Sequence, residues 1–337
     1  MRHFVIVGIL VVVTTILTYV GLDSANLMPV AASVQAAPID QMWNLELIFM
    51  SFFFALIVVP MAYSLIVFRR KKGDTSDADH MEGNTKLEII WTVVPLFIVT
   101  AFAYIGAVNL AETRRVDPEA MVVKVTGIQW SWKFEYPPVD GVSVVSDELH
   151  LLADKQVLLQ MTSTDVIHSF WVPEFRVKQD LVPGRIIELR LTPILEGDYK
   201  VRCAELCGTS HAFMEKPVIV SSQAEFDAWM LEQRKIALDL QATPEGSGQL
   251  LVAANGCAAC HSINGAQGIG PTWFGLFGHE VLLTDGTTVI ADEAYLAESI
   301  RDPQAKIVAG FETQLMPTYG FTDEQIADIV AYIKTLR

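Results

Sequence analysis

Three uncharged apolar runs, Phe4 to Leu22, Leu47 to Phe68 and Ile89 to Leu110, set the first limit on what this chain can become. Each is close to the ~20 residues that a helix needs to cross ~30 Å of hydrocarbon. Inside lipid a backbone must satisfy its own hydrogen bonds, so runs of this kind fold as helices. The remainder of the 337 residues reads as ordinary soluble sequence with room for two modest domains, although the chain as a whole is 51% hydrophobic.

The basic residues orient the helices. Arg69-Arg70-Lys71-Lys72 and Lys86 lie in the short loop between the second and third runs, and only Arg114 and Arg115 follow the third closely. The positive-inside rule puts the 69–88 loop in the cytoplasm and everything after Leu110 on the outer face of a prokaryotic plasma membrane. The first run has two readings. Arg2 and His3 before it and Ala36-Ala37 after it suggest a signal peptide. Its uncharged stretch exceeds the usual ~7–15-residue signal core, and those alanines lie far downstream, which favours a retained helix. The outer topology is the same either way. A formal net charge of -15 argues against nucleic acid, since phosphate binding needs clustered Lys and Arg.

Beyond the membrane, Val122 to Thr126 and Val142 to Gln160 are rich in β-branched residues and partly alternate apolar with polar. Further strand-like pieces are Arg185 to Leu191, Asp198 to Cys203 and Lys216 to Val220. Turn signals at Pro137-Pro138, Asp140-Gly141, Pro183-Gly184 and Glu196-Gly197 punctuate them. That pattern predicts an all-β domain of about a hundred residues, sandwich or barrel. Ser222 and Glu225 then form a capping box ahead of Phe226, Trp229 and Met230, which recur at helical spacing. Pro244 and Gly246-Ser247-Gly248 mark a linker near Gln241 to Gly248. From Gln249 the pattern turns helical, with further helices near Glu293 to Arg301 and from Asp323 to Lys334.

All four cysteines fall in two pairs, Cys203/Cys207 and Cys257/Cys260, leaving none for a structural disulfide. The second pair sits in Cys257-Ala258-Ala259-Cys260-His261, the spacing of a covalently attached c-type haem with His261 as proximal iron ligand. Met316 is the only methionine after Met230 and is the candidate distal ligand. Met/His ligation raises the potential, while His279 in its place would give a lower one. Covalent haem attachment belongs outside the cytoplasm, which agrees with the charge argument. The first pair lies in a run of soft copper ligands: two thiolates three residues apart, then His211 and Met214. A second imidazole must come from elsewhere. His168, after a strand-like segment, is the candidate, and His150, in an alternating strand, is the rival. A zinc site would want tighter Cys-x-x-Cys knuckles and has little use for the methionine.

Cys203-x-Glu205-x-Cys207-x-x-x-His211-x-x-Met214, with His168 upstream, resembles the dinuclear CuA site of cytochrome c oxidase subunit II, over roughly residues 43 to 235. The segment from Gly248 onward resembles small class I cytochromes c, and Gly270-Pro271 matches their loop against the haem face. The resemblance implies a multi-domain membrane protein. Its parts would be an N-terminal segment and linker (1–42), a transmembrane helical hairpin (43–112), an all-β cupredoxin CuA sandwich (113–221), a helix and linker (222–248) and an all-α cytochrome c domain (249–337). It also implies that Glu205 gives its backbone carbonyl to copper and its side chain to a magnesium at the catalytic-subunit interface. Within Gly127-Ile128-Gln129-Trp130-Ser131-Trp132, Trp130 matches the residue where electrons arrive, and Glu88, just before Ile89-Ile90-Trp91, matches a carboxylate at the mouth of a proton path. Lys178-Gln179-Asp180 and Pro183-Gly184-Arg185 match the family's segment beside the catalytic subunit.

The function so implied is an electron-accepting subunit of a respiratory haem-copper oxidase. Electrons pass from an external donor (a cytochrome, a copper protein or a quinol-oxidising complex) through haem c and CuA to the haems of catalytic subunit I, which reduces oxygen to water. A CuA-bearing subunit of a nitric oxide reductase is an alternative, and a free membrane-tethered carrier is another. Glu88, Trp91 and Asp180 speak against a free carrier, which has no use for interface and proton-path residues. From Glu245 onward eleven Asp/Glu stand against four Lys/Arg. A tethered donor domain does not need the basic face with which a diffusing one finds an acidic oxidase.

Overall fold

The computed structural model describes residues 1–77, 80, 82–313 and 316–337. They fall into two units, Met1–Arg115 and Val116–Arg337.

The first unit holds helices α1 (Arg2–Ser24), α2 (Ala36–Val67) and α3 (Thr85–Thr113), each long and apolar enough to cross a membrane. Their large apolar side chains, such as Leu65 and Phe97, point outward, as a lipid-facing surface requires. α1 packs along α2, with His3 Nδ1 2.7 Å from the Tyr63 hydroxyl and its ring against Phe68. α2 starts well before the expected Leu47, because Asp40 and Glu46 end the apolar run without ending the helix. Pro60 and Pro95 lie inside α2 and α3, a placement that membrane helices tolerate. Asn84 caps α3 by accepting from the Leu87 amide at 3.3 Å. Glu88 stands in the first turn of α3, at the positive end of the helix dipole.

The second unit begins with a β-sandwich of ten strands: β1 (Met121–Ile128), β2 (Ser131–Val139), β3 (Val142–Ser146), β4 (Leu149–Leu152), β5 (Val157–Ser163), β6 (His168–Trp171), β7 (Lys178–Leu181), β8 (Ile187–Leu191), β9 (Gly197–Cys203) and β10 (Glu215–Ser221). One sheet has the order β3-β2-β1-β5-β8 and the other β4-β10-β9-β6-β7. The β1/β5 and β4/β10 pairs are parallel and the rest antiparallel. Alternate residues turn inward, so Trp132, Phe134, Leu159 and Met161 of the first sheet meet Leu149, Phe170, Val201 and Val218 of the second in a dry core.

Helix α4 (Gln223–Gln241) opens with the expected capping box, Ser222 and Glu225 satisfying each other's backbone amides. Its Phe226 and Trp229 pack on Tyr136, and Trp229 stacks on His150 with centroids 3.9 Å apart. The tract expected as a linker is helical. α5 runs Pro244–Ala254, with Pro244 in its first turn and Thr243 as N-cap, so only Ala242 and Thr243 separate it from α4. The glycines serve contact rather than flexibility. A Cβ on Gly248 would lie 2.0 Å from the Asp328 carbonyl oxygen, so only glycine lets α5 cross α7 this closely. α6 (Glu293–Arg301) and α7 (Asp323–Thr335) complete the helices. Val252, Trp273, Leu296, Ile329 and Ile333 are central to their core. A short hairpin, β11 (Glu280–Leu282) and β12 (Thr288–Ile290), was not expected from helical periodicity. Asp285-Gly286 between two apolar triplets is the signal that predicts it.

Candidate metal and haem centres

The segment from the end of β9 to the start of β10 carries five of the expected copper ligands, Glu205 through its carbonyl, and β6 carries the sixth. Cys203 ends β9, His211 lies in a short 3-10 turn (His211–Phe213), and Met214 precedes β10. The two sulfurs are 3.7 Å apart. That is too far for a ~2.0 Å disulfide bond and less than twice a ~2.3 Å metal–thiolate bond. Each cysteine has its own imidazole: His168 Nδ1 is 3.8 Å from Cys203 Sγ, and His211 Nδ1 is 3.5 Å from Cys207 Sγ. Each also has a weaker donor. The Glu205 carbonyl lies 3.2 Å from Cys203 Sγ, and Met214 Sδ lies 3.8 Å from Cys207 Sγ. The Glu205 side chain points outward and is exposed. His168 is 0% and Cys207 2% exposed, so most of these donors converge away from water, with His211 half-buried at the edge. His150, the rival imidazole, is engaged elsewhere by Trp229 and by Glu148 at 3.4 Å.

The charges follow from this crowding. Burial raises the Cys207 thiol, and the neighbouring Cys203 raises it further. Burial also works against a Cys203 thiolate, but hydrogen bonding from His168 and the Glu205 and Ser169 backbone outweighs it and lowers that thiol. His168 loses stability as a cation through burial, yet Asp165 and Cys203 raise it to about 9. Burial and mutual repulsion thus oppose two thiolates side by side, an opposition that bound positive charge would relieve. Soft donors that gain from bound positive charge fit copper ions.

The haem motif is a 3-10 turn, Cys257–Ala259, entered from Gly256 in the left-handed region at φ 68°. His261 Nδ1 lies 2.8 Å from the Pro271 carbonyl, and its ring stacks on Trp273 at 4.7 Å. Donation from Nδ1 leaves Nε2 as the ligating nitrogen. Burial lowers the pKa of His261 and so favours the neutral, ligating form. Cys257, Cys260, His261 and Met316 line a cavity of about 470 Å³, which suits a large planar group. His279 is not among its lining residues. The opposite wall belongs to the β-sandwich and includes Ile128, Gln129, Trp130 and Asp165. Trp130 Nε1 and Gln129 Nε2 both donate to the carbonyl of Cys207, at 3.2 and 2.7 Å.

The chain matches family profiles described as "Cytochrome C oxidase subunit II, transmembrane domain" over residues 21–106, "Cytochrome C oxidase subunit II, periplasmic domain" over 143–223, and "Cytochrome c" over 247–337. Cytochrome c oxidase subunit 2 of Alkalihalophilus pseudofirmus is 32% identical, the match covering 83% of this chain and 85% of that one. This chain belongs to the cytochrome c oxidase subunit II family. The Synechocystis protein of the same description is 34% identical over 65% of this chain and 79% of its own length. A solved structure, the periplasmic domain of subunit II of the Bradyrhizobium japonicum oxidase, is 33% identical, covers 36% of this chain and 99% of its own, and has a TM-score of 0.33. The subunit II chain described here is thus a membrane subunit of cytochrome c oxidase, with a transmembrane part, a periplasmic domain and a fused cytochrome c domain. The periplasmic-domain family implies CuA and the cytochrome c family implies haem c.

Two residues of the subunit II centre escaped sequence reasoning. Gly127 is one: a Cβ there would lie 2.9 Å from His168 Cδ2, so glycine in β1 makes room for the imidazole. Asp165 is the other, accepting from His168 Nε2 at 2.8 Å and fixing which nitrogen faces the sulfurs. A carboxylate three residues before a candidate ligand is a weak signal, because aspartate is common in turns.

Proposed function

We propose that this subunit accepts electrons from an external donor at haem c and passes them through CuA to the haems of catalytic subunit I, where oxygen is reduced to water. Cys257 and Cys260 would tether the haem, with His261 and Met316 as its axial ligands. His168, Cys203, Glu205, Cys207, His211 and Met214 would hold the copper pair. Both groups supply reversible one-electron chemistry when bound. The observation that carries the reading is the shared cavity, lined by Cys257, Cys260, His261 and Met316 from the haem segment and by Trp130 from the β-sandwich. Trp130 is hydrogen-bonded directly to the backbone of a candidate copper ligand. The exposed Glu205 side chain would meet magnesium at the interface with the catalytic subunit, and Glu88 would face a proton path. The domain division at 43–112, 113–221 and 249–337 is part of the same proposal.

Stopped-flow mixing of the complete oxidase with its native donor tests the order: haem c should be reduced first and CuA after it. In Trp130→Ala the second step should slow while neither reduction potential moves much, since an aromatic surface is removed and no ligand. Reduction of CuA ahead of haem c would overturn the serial order.

A further inference from the structure

Asp165 touches both sides of the relay. It sits in the turn between β5 and β6, and each of its oxygens has a separate task. Oδ1 accepts from His168 Nε2 at 2.8 Å, from the Val166 amide at 2.6 Å and from the Ser163 hydroxyl at 3.2 Å. Oδ2 accepts from the backbone amide of Gln129 at 2.6 Å. Gln129 and Trp130 reach in turn to the Cys207 carbonyl. The Trp130 turn is therefore fastened at two points, once to the partner of one candidate copper ligand and once to the backbone of another. Asp165 also lines the cavity that holds Cys257, Cys260 and His261, and its side chain is 25% exposed there.

We propose that Asp165 is the positioning residue for electron transfer from haem c to CuA, locking His168 and the Trp130 turn into one arrangement across the haem cavity. This rests on the serial reading above. The step moves one electron: haem c iron goes from ferrous to ferric and the oxidised copper pair is reduced, with no proton moved and no bond made or broken. Its rate depends on the separation and orientation of the two groups and on their difference in potential. Asp165 bears on both, and with opposite signs. Loss of its negative charge beside CuA favours the reduced, less positive pair, which raises the CuA potential and speeds transfer. Loss of its second acceptor frees the Trp130 turn, which slows transfer. An asparagine keeps one acceptor oxygen but offers a donor where the other stood, so it cannot serve both His168 and the Gln129 amide.

The test is flash photoreduction of haem c in the complete oxidase, following haem c and CuA absorbance, with copper content, EPR spectra and both potentials measured alongside. Asp165→Asn should retain copper, leave the CuA potential no lower relative to that of haem c than in the unsubstituted complex, and still slow the transfer by about tenfold or more. Transfer at the native rate or faster would leave Asp165 an electrostatic role only and overturn the proposal. If the unsubstituted complex itself shows no transfer from haem c to CuA, the serial reading fails instead, so the two failures are distinguishable. Should Asp165→Asn not load copper, Asp165→Glu is measured in the same way. With the charge kept and the carboxylate displaced by a methylene, transfer must slow at a nearly unchanged CuA potential, and a native rate counts against positioning. Copper loss in both variants would assign Asp165 to assembly of the site and overturn the proposal.

Discussion

The copper loop and the haem segment solve opposite problems within one compact unit. Around Cys203 and Cys207 the fold closes on the site: two sulfurs, two imidazoles, a thioether and a carbonyl form a chain of contacts no longer than 3.8 Å. Around Cys257 and His261 the fold stays open, leaving about 470 Å³ walled by both the haem segment and the β-sandwich. Small ions need converging donors, which a rigid sandwich supplies from strands that already pair. A macrocycle needs a void with reactive groups on its walls, and its own faces then complete the packing. The copper half should therefore keep its shape without its ions, whereas the haem half should depend on its group for much of its core.

The sharpest way to break that comparison is Cys207→Ser. If Cys207 is a copper ligand as proposed, its loss should cost more than the ~100-fold in metal affinity that removal of a merely supporting partner costs. Copper analysis should show the site largely empty, EPR should lose the delocalised mixed-valence signal, and circular dichroism of the β-sandwich should not change. Collapse of the β signal would mean that the ions hold the sandwich together after all.

Met316→His comes next. It should keep the covalent haem while lowering its potential substantially, within the ~0.8 V span over which axial ligands tune haem iron. Spectroelectrochemistry of the complete oxidase reads this directly. An unchanged potential, with the drop appearing in His279→Ala instead, would reassign the distal ligand.

Gly248→Ala sharpens the comparison in energy units. With its Cβ 2.0 Å from the Asp328 carbonyl, α5 must move off α7. Overpacking of this kind costs about 1–3 kcal/mol, and each kcal/mol lowers the melting point of a domain this size by about 4–8 °C. Thermal loss of the haem absorbance should shift by that much, while the copper EPR signal stays as it was.

His150→Ala should have the smallest effect. Removing its stack on Trp229 costs about 0.5–1.5 kcal/mol beyond the lost area and should leave the copper spectrum untouched. An altered hyperfine pattern would make His150 a ligand in place of His168.

Parts of this molecule were legible residue by residue. The apolar runs announced α1, α2 and α3 because lipid leaves a backbone no other partner than itself. Helices α6 and α7 lie where periodicity put them, and Ser222 with Glu225 marked the start of α4, because caps and apolar spacing act within a turn or two. Cys203 to Met214 could be read as one donor set for the same reason, since all four side chains ride on one short loop. Gly246-Ser247-Gly248 misled in the other direction. Its composition is that of a flexible linker, but the lack of side chains there serves the close crossing of α5 over α7.

Other features depended on partners distant in sequence. Nothing near His150 or His168 separates them decisively, and the fold does so by laying Trp229 of α4 over one and opening a space beside Gly127 of β1 for the other. Asp165 gained its neighbours only when the β5–β6 turn met the Gln129 backbone, and Met316 came to the cavity of His261 across a long loop. The same holds for the wall that Trp130 presents to the haem segment. The sequence determined which elements and which chemistries this chain could have, because periodicity, capping and ligand spacing are local. The tertiary structure decided which donors converge and which centre faces which, because those contacts join residues whose separation along the chain carries no record of their meeting.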